Sequence, residues 1–150
     1  RFGCDHVCFT TEINPGSGFK PLNKIASGGE LSRFLLAVKL CFLGDNNKKT
    51  QIFDEIDRGV GGATASAIGK RLLELSKHEQ VIVVTHSPQV AAYSDNHLKV
   101  EKINFDKSTV TKVDTLNEEK TVREIARMLS GELITSEALA AAATLRKASK

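Results

Sequence analysis

The stretch TQIFDEID, residues 50 to 57, ends an apolar run with three acids in four positions: Asp54, Glu55 and Asp57. Open α/β sheets bind ligands beyond the carboxyl ends of their strands. A carboxylate there suits Mg2+, which takes one or two protein carboxylates and completes its shell with waters and phosphate oxygens. A second carboxylate beside the metal can orient or deprotonate a water for attack on a phosphoryl group. Acids that merely flank a strand at its solvent end would look the same, so this stretch alone does not separate the two readings.

VIVVTH, residues 81 to 86, repeats the arrangement one strand later, with His86 just past an apolar run. A histidine there can donate a hydrogen bond to a phosphate oxygen or polarise an attacking water. A lone histidine at a strand end is more often structural. Two consecutive strands ending in reactive side chains shift the balance, because their ends would lie side by side.

SGGE, residues 27 to 30, precedes a strong helical pattern. With Ser27 as N-cap and Glu30 three positions on, it is formally a capping box. That accounts for the serine and the glutamate and leaves Gly28 and Gly29 unexplained, since a glycine costs about 1 kcal/mol against alanine within a helix. Glycines at a helix start permit close backbone approach, and the free N–H groups with the helix dipole form an anion site. The serine can cap when the site is empty and meet phosphate when it is filled. The loop G-x-x-x-x-G-K-[ST] is missing: GSGFK at 16 to 20 and IGK at 68 to 70 do not fit it. The chain thus holds groups for metal binding and water activation without the main cradle for β- and γ-phosphates.

These residues need elements to position them. In DHVCFTTEI, 5 to 13, Val7, Phe9, Thr11 and Ile13 alternate as on one face of a strand. NPGSGFKP is a loop. A helix is expected from Ser27 to Leu43, with Leu31, Leu35, Val38 and Phe42 on a stripe that Leu36, Leu40 and Leu43 widen until most of the circumference should be buried. After a turn at GDNNKK and the strand at 50 to 57, Ala65, Ile68, Leu72 and Leu75 mark a helix to about Lys77. QVIVVTH reads as a strand covered on both faces in a parallel sheet. Ser87 and Pro88 suit the N-cap and first position of a helix running to about Asp95. A hairpin is expected near 97 to 105 and 108 to 115, then a helix around Val122, Ile125, Ala126 and Leu129 stopped by Gly131, then a helix over SEALAAAATLRKA. The strand–helix alternation predicts an α/β fold with parallel central strands.

The 150 residues are enough for one domain, and 41% hydrophobic with 26% charged residues is a globular composition. A net charge of +3 without a basic run gives no argument for nucleic-acid binding. No apolar run approaches the roughly 18 residues of a membrane span, and three cysteines do not make a secreted disulfide framework, so a cytoplasmic protein is expected. Cys4, His6 and Cys8 share a strand face, but C-x-H-x-C is too cramped for a tetrahedral zinc site and no second ligand pair follows. The start at Arg1, inside a strand-like pattern, reads as a piece of something longer.

In order and spacing, these stretches resemble the C-terminal half of an ABC-type P-loop ATPase head: SGGE the signature motif, QIFDE the Walker B strand, IDRG the D-loop, and His86 the switch histidine. KIASGGELSRFLLAVK, FDEIDRGVGG, THSPQVAA and EIARMLSG are similar to the RecN family of bacterial DNA-repair proteins, SMC-like ATPases, from about Asn14 to Gly131. Arg58 stands where that family more often has a small apolar residue, Gly61 where it has serine, and Ser87 where leucine is common. The resemblance implies that Asp54 holds Mg2+, Glu55 is the general base, His86 senses the γ-phosphate, and Asp57 couples two heads. It implies that Ser27, Gly28, Gly29 and Glu30 meet ATP bound to a second protomer of a homodimer. It also implies a phosphate loop in the N-terminal half of the same head, beyond a long coiled coil, and action on DNA in double-strand break repair, at the nucleoid. On this reading residues 1–150 are a half-head, inactive alone and prone to self-association. An interaction module of a related SMC, Rad50-like or transporter-type ATPase is the alternative.

Overall fold

The computed structural model describes residues 3–12, 15–24, 27–42, 49–105 and 108–149. Near the N-terminus the glycine-rich stretch turns the chain back on itself, so that Thr10–Thr11 (β1) pairs antiparallel with Lys20–Pro21 (β2). Glu12 holds the loop, its Oε1 accepting from the amides of Gly16 and Gly18 at 3.0 Å each. The strand expected over 5 to 13 is therefore paired at two residues only, and Ile13 lies outside the described residues. Val7 and Phe9, on its expected face, are 78% and 71% exposed: among the described residues no second layer covers them.

Gly28–Cys41 forms α1, with Ser27 Oγ accepting from the Glu30 amide at 3.3 Å as the capping pattern predicts. Its expected end at Leu43 and residues 44 to 48 of the expected turn lie outside the described residues. The expectation that α1 is buried on most of its circumference is corrected. Gly29 and Leu36 are its buried residues, whereas Leu31 and Leu35 are exposed and Phe42 is 76% exposed. The apolar stripe is wider than the surface the described residues offer to cover it.

Thr50–Asp54 (β3), Gly62–Ser76 (α2) and Gln80–Val84 (β4) make a βαβ unit. The strands run parallel in the register Thr50↔Gln80 to Asp54↔Val84, which requires the crossover that α2 supplies. Ala65, Ile68, Gly69, Leu72 and Leu75 are the buried face of α2. Four of them, Ala65, Ile68, Leu72 and Leu75, form the main core with Leu36, Phe53, Ile56 and Val90. Covering of β4 on both faces is not observed: Ile82 and Val84 are exposed, as is Ile52 at 69% on β3, because among the described residues one face of this two-stranded sheet has no layer over it.

Pro88–Ala91 (α3) is capped by Ser87 Oγ, which accepts from the Val90 amide, and gives way to a turn well before Asp95. His97–Phe105 (β5) and Ser108–Leu116 (β6) form the expected hairpin, paired from His97↔Leu116 onward. Glu118–Ser130 (α4) stops at Gly131, whose φ of 81° is the left-handed region that glycine enters freely. Ser136–Ala148 (α5) follows. Its small residues Ala138 and Ala142 let it approach α4 closely, and with Ile125, Ala126, Ala91 and Ala92 they form a second core. The buried Arg146 locks α5 to the end of α3: its guanidinium donates to Ala92 O at 2.7 Å and to both carboxylate oxygens of Glu118. No helix among the described residues is long and apolar enough to cross a membrane.

Candidate functional site at the carboxyl ends of two parallel strands

The parallel register delivers β3 and β4 to one edge. Asp54 is the last residue of β3 and lies opposite Val84; the Glu55 amide extends the pairing by donating to Val84 O at 3.3 Å. Glu55 then leaves the strand with φ of 51°, a left-handed conformation that costs a non-glycine residue on the order of 1 kcal/mol or more. Arg58 N donates to Glu55 O at 3.0 Å and closes a turn, anchored by Ile56, which is fully buried. Arg58 Nη1 also lies 2.8 Å from Glu55 Oε2, in an ion pair exposed enough to contribute about 0–1 kcal/mol.

Asp57 reaches across to the end of β4. Its Oδ2 accepts from Thr85 Oγ1 at 2.5 Å and from the Ser87 amide at 3.0 Å. His86 sits between those two residues with an exposed side chain. Asp57 therefore holds the Thr85 hydroxyl on one side of His86 and the Ser87 amide on the other, and the strand end holding the three acids is fastened to the one holding the histidine.

The start of α1 packs against the same turn. A Cβ on Gly29 would lie 3.4 Å from the carbonyl oxygens of Glu55 and Arg58 and 3.0 Å from Arg33 Nη1, whereas one on Gly28 would meet nothing within 4 Å among the described residues. The two glycines thus have different reasons. Gly29 is buried because backbone packs on it, and Gly28 stands beside open space. Ser27 is exposed and Glu30 half-buried. All eight residues singled out from the sequence belong to this neighbourhood: Asp54, Glu55, Asp57 and His86 at the strand ends, and Ser27 to Glu30 beside the Glu55 turn.

Exposed Asp54 and Glu55 suit a cation that asks little of the protein, as Mg2+ does. Among the described residues no three His, Cys, Asp or Glu side chains are grouped to hold a metal, and Cys4 and Cys8 are free and exposed. Sequence reasoning missed Thr85 and Arg33. A β-branched residue beside a histidine, or an arginine one turn into a helix, is ordinary in any sequence.

No protein-family model matches the chain. It is 48% identical over 144 residues to the DNA repair protein RecN of Rickettsia bellii (strain RML369-C), a match covering 96% of this chain and 26% of that protein. RecN of Xylella fastidiosa (strain 9a5c) is 46% identical over 95% of the chain, and that of Streptomyces coelicolor (strain ATCC BAA-471 / A3(2) / M145) 48% over 87%. The chain spans about a quarter of the length of these relatives. A solved structure from work on ATP-driven dimerization and DNA-stimulated activation of SMC ATPases superposes with a TM-score of 0.54 at 25% identity, over 79% of this chain and 70% of that one. The chain is thus a RecN-like sequence, and its α/β fold is that of the C-terminal half of an ABC-type, SMC-like ATPase head.

Proposed function

We propose that residues 1–150 form one half of an SMC-like ATPase head that hydrolyses ATP between two engaged heads, in a cytoplasmic protein acting on DNA in double-strand break repair and recombination. The observation that carries this reading is the parallel register of β3 and β4, which brings Glu55 and His86 out at one edge of the sheet beside the start of α1. Glu55 is the general base for the attacking water, and His86 the hydrogen-bonding group toward the γ-phosphate. Asp54 holds Mg2+, which supplies neutralising charge to the phosphates when bound. Ser27, Gly28, the Gly29 amide and Glu30 meet the nucleotide of a second protomer, with open Gly28 as the point of closest approach. Asp57 contributes from the turn at that interface. The N-terminal half of the head supplies the phosphate loop that this sequence lacks, so the chain alone should not turn over ATP.

The exposed apolar residues Leu31, Leu35, Ile52, Ile82 and Val84 favour a second reading, an interaction module whose work is pairing alone. ATPase measurements on the chain mixed with an N-terminal RecN segment carrying a phosphate loop separate the two. The enzymatic reading expects recovered hydrolysis that falls ~100-fold or more with Glu55→Gln. No recovery from two folded, bound pieces would leave the module.

A further inference from the structure

Arg33 has no part in the roles above, yet it makes the most specific contact between α1 and the Glu55 turn. It lies one helical turn after Gly29, and its Nη1 donates to Ile56 O at 3.0 Å and to Arg58 O at 3.3 Å. Those carbonyls lie immediately after Glu55, where the backbone takes its left-handed φ, and at the end of the turn that Arg58 N closes. The guanidinium reaches them across the space a side chain at 29 would take, since a Cβ there would lie 3.0 Å from Nη1. A charged donor on a carbonyl makes a stronger bond than a neutral pair. Ile56 is fully buried, so water is a poor substitute at its carbonyl.

From this geometry we infer that Arg33 is a positioning residue for Glu55, holding the turn that fixes where the carboxylate leaves the sheet. It joins two functions that lie in different composite sites. Ser27 and Gly28 face the second protomer's nucleotide, while Glu55 serves the nucleotide of its own head. A displacement of the start of α1 therefore reaches Glu55 through one side chain. The functional half of this inference rests on the ATPase reading; the clamp itself does not.

Two measurements test it. In hydrogen exchange on the 150-residue chain, Arg33→Gln should speed exchange of the Arg58 amide at least ~10-fold while buried amides of α2 keep theirs, because only a local opening is released. Arg33→Lys should fall between, as one ammonium can satisfy one of the two carbonyls. Gly29→Ala should displace the guanidinium and add little to Arg33→Gln in the double variant. Unchanged Arg58 exchange in Arg33→Gln would overturn the clamp, whatever the ATPase does. In the ATPase-competent dimer, one head carries Glu55→Gln so that only the other turns over. Arg33→Gln placed in the head with intact Glu55 should lower kcat ~10-fold or more with KM for ATP nearly unchanged. The same substitution in the opposite head should have much less effect. The reverse order would show that Arg33 serves the nucleotide-facing end of α1 and would overturn the positioning role. If Glu55→Gln proves silent while Arg58 exchange responds to Arg33, the ATPase reading fails and the clamp survives.

Discussion

Gly69 offers the sharpest test of how the site is supported. It lies inside α2, where propensity favours alanine by about 1 kcal/mol. Packing says the opposite. A Cβ at 69 would lie 2.4 Å from Tyr93 Cδ2, 3.1 Å from Cε2 and 3.2 Å from Cγ, against an ordinary carbon–carbon contact of roughly 3.5–4.0 Å. An aromatic ring cannot fold away from such a contact, so either the ring swings or the segment after α3 shifts. Swinging it breaks the 3.2 Å bond between Tyr93 Oη and Ser66 Oγ, worth about 1 kcal/mol. Overpacking adds about 1–3 kcal/mol. With the propensity gain offsetting the lost hydrogen bond, Gly69→Ala should destabilise by about 2 kcal/mol, lowering Tm by roughly 4–8 °C in a chain of this size. Urea denaturation of Gly69→Ala, Tyr93→Ala and the double variant tests the cause as well as the size. On the Tyr93→Ala background the added methyl should no longer destabilise, a coupling that propensity alone cannot produce. A Gly69→Ala chain as stable as the parent or more so would refute the packing argument.

Asp57→Ala should cost about 2–3 kcal/mol in urea denaturation, since it strips the Thr85 hydroxyl and the Ser87 amide of one acceptor at a partly buried site; Asp57→Asn, which keeps an acceptor, should cost less. Stability should fall on acidification in two stages, read by Tm against pH. Burial holds the His97 imidazole below its ordinary 6.5, with Glu124 opposing and Arg146 assisting, so the unfolded chain binds the proton first. That loss begins as pH drops through about 6.5, continues to the native value, and should vanish in His97→Gln. Burial pushes the Glu124 carboxyl up, but hydrogen bonds from Arg127 and Lys99 outweigh it and leave the group below its ordinary 4.5, so its contribution is present above that value and lost as pH falls through the native one. Finally, sedimentation velocity should show association that grows with concentration and an apolar dye should bind, because Leu31, Leu35, Ile52, Ile82 and Val84 are exposed; a monomer silent to the dye would contradict this.

What the sequence disclosed tracks how local each signal is. The Ser27 cap, the Ser87–Pro88 start, the Gly131 stop and the hairpin of β5 and β6 rest on residues near in sequence, and all are found. The parallel pairing of β3 and β4 followed from two apolar strands flanking a helix. The failures concern covering. Val7 and Phe9 alternate as in a strand, and α1 and β4 are apolar as if enclosed, but hydrophobicity records a need for a neighbour without saying whether the same chain supplies it. Arg33 to Ile56 and Asp57 to Thr85 were illegible for another reason: each joins polar groups from separate elements, and nothing in residue type marks the pair.

The distribution of order within the molecule follows from these same contacts. The end bearing α4 and α5 is tightly closed, with Ile125, Ala126 and Ala142 fully buried and Arg146 bonding back to the end of α3. The end bearing Glu55 is held by more exacting means: a left-handed residue, a glycine against two backbone carbonyls, one guanidinium on two carbonyls, and one carboxylate bridging two strand ends. Strain of this kind persists only where the surroundings over-determine it. Here the determinants come from α1 on one side and from β4 with α3 on the other, and among the described residues α1 and β4 each have a face left open. Covering those faces would rigidify the supports of Glu55 without touching its side chain. If Glu55 is the base proposed above, a turn held between two incompletely packed elements would take its geometry from what docks against them, as a reaction confined to an assembled state requires.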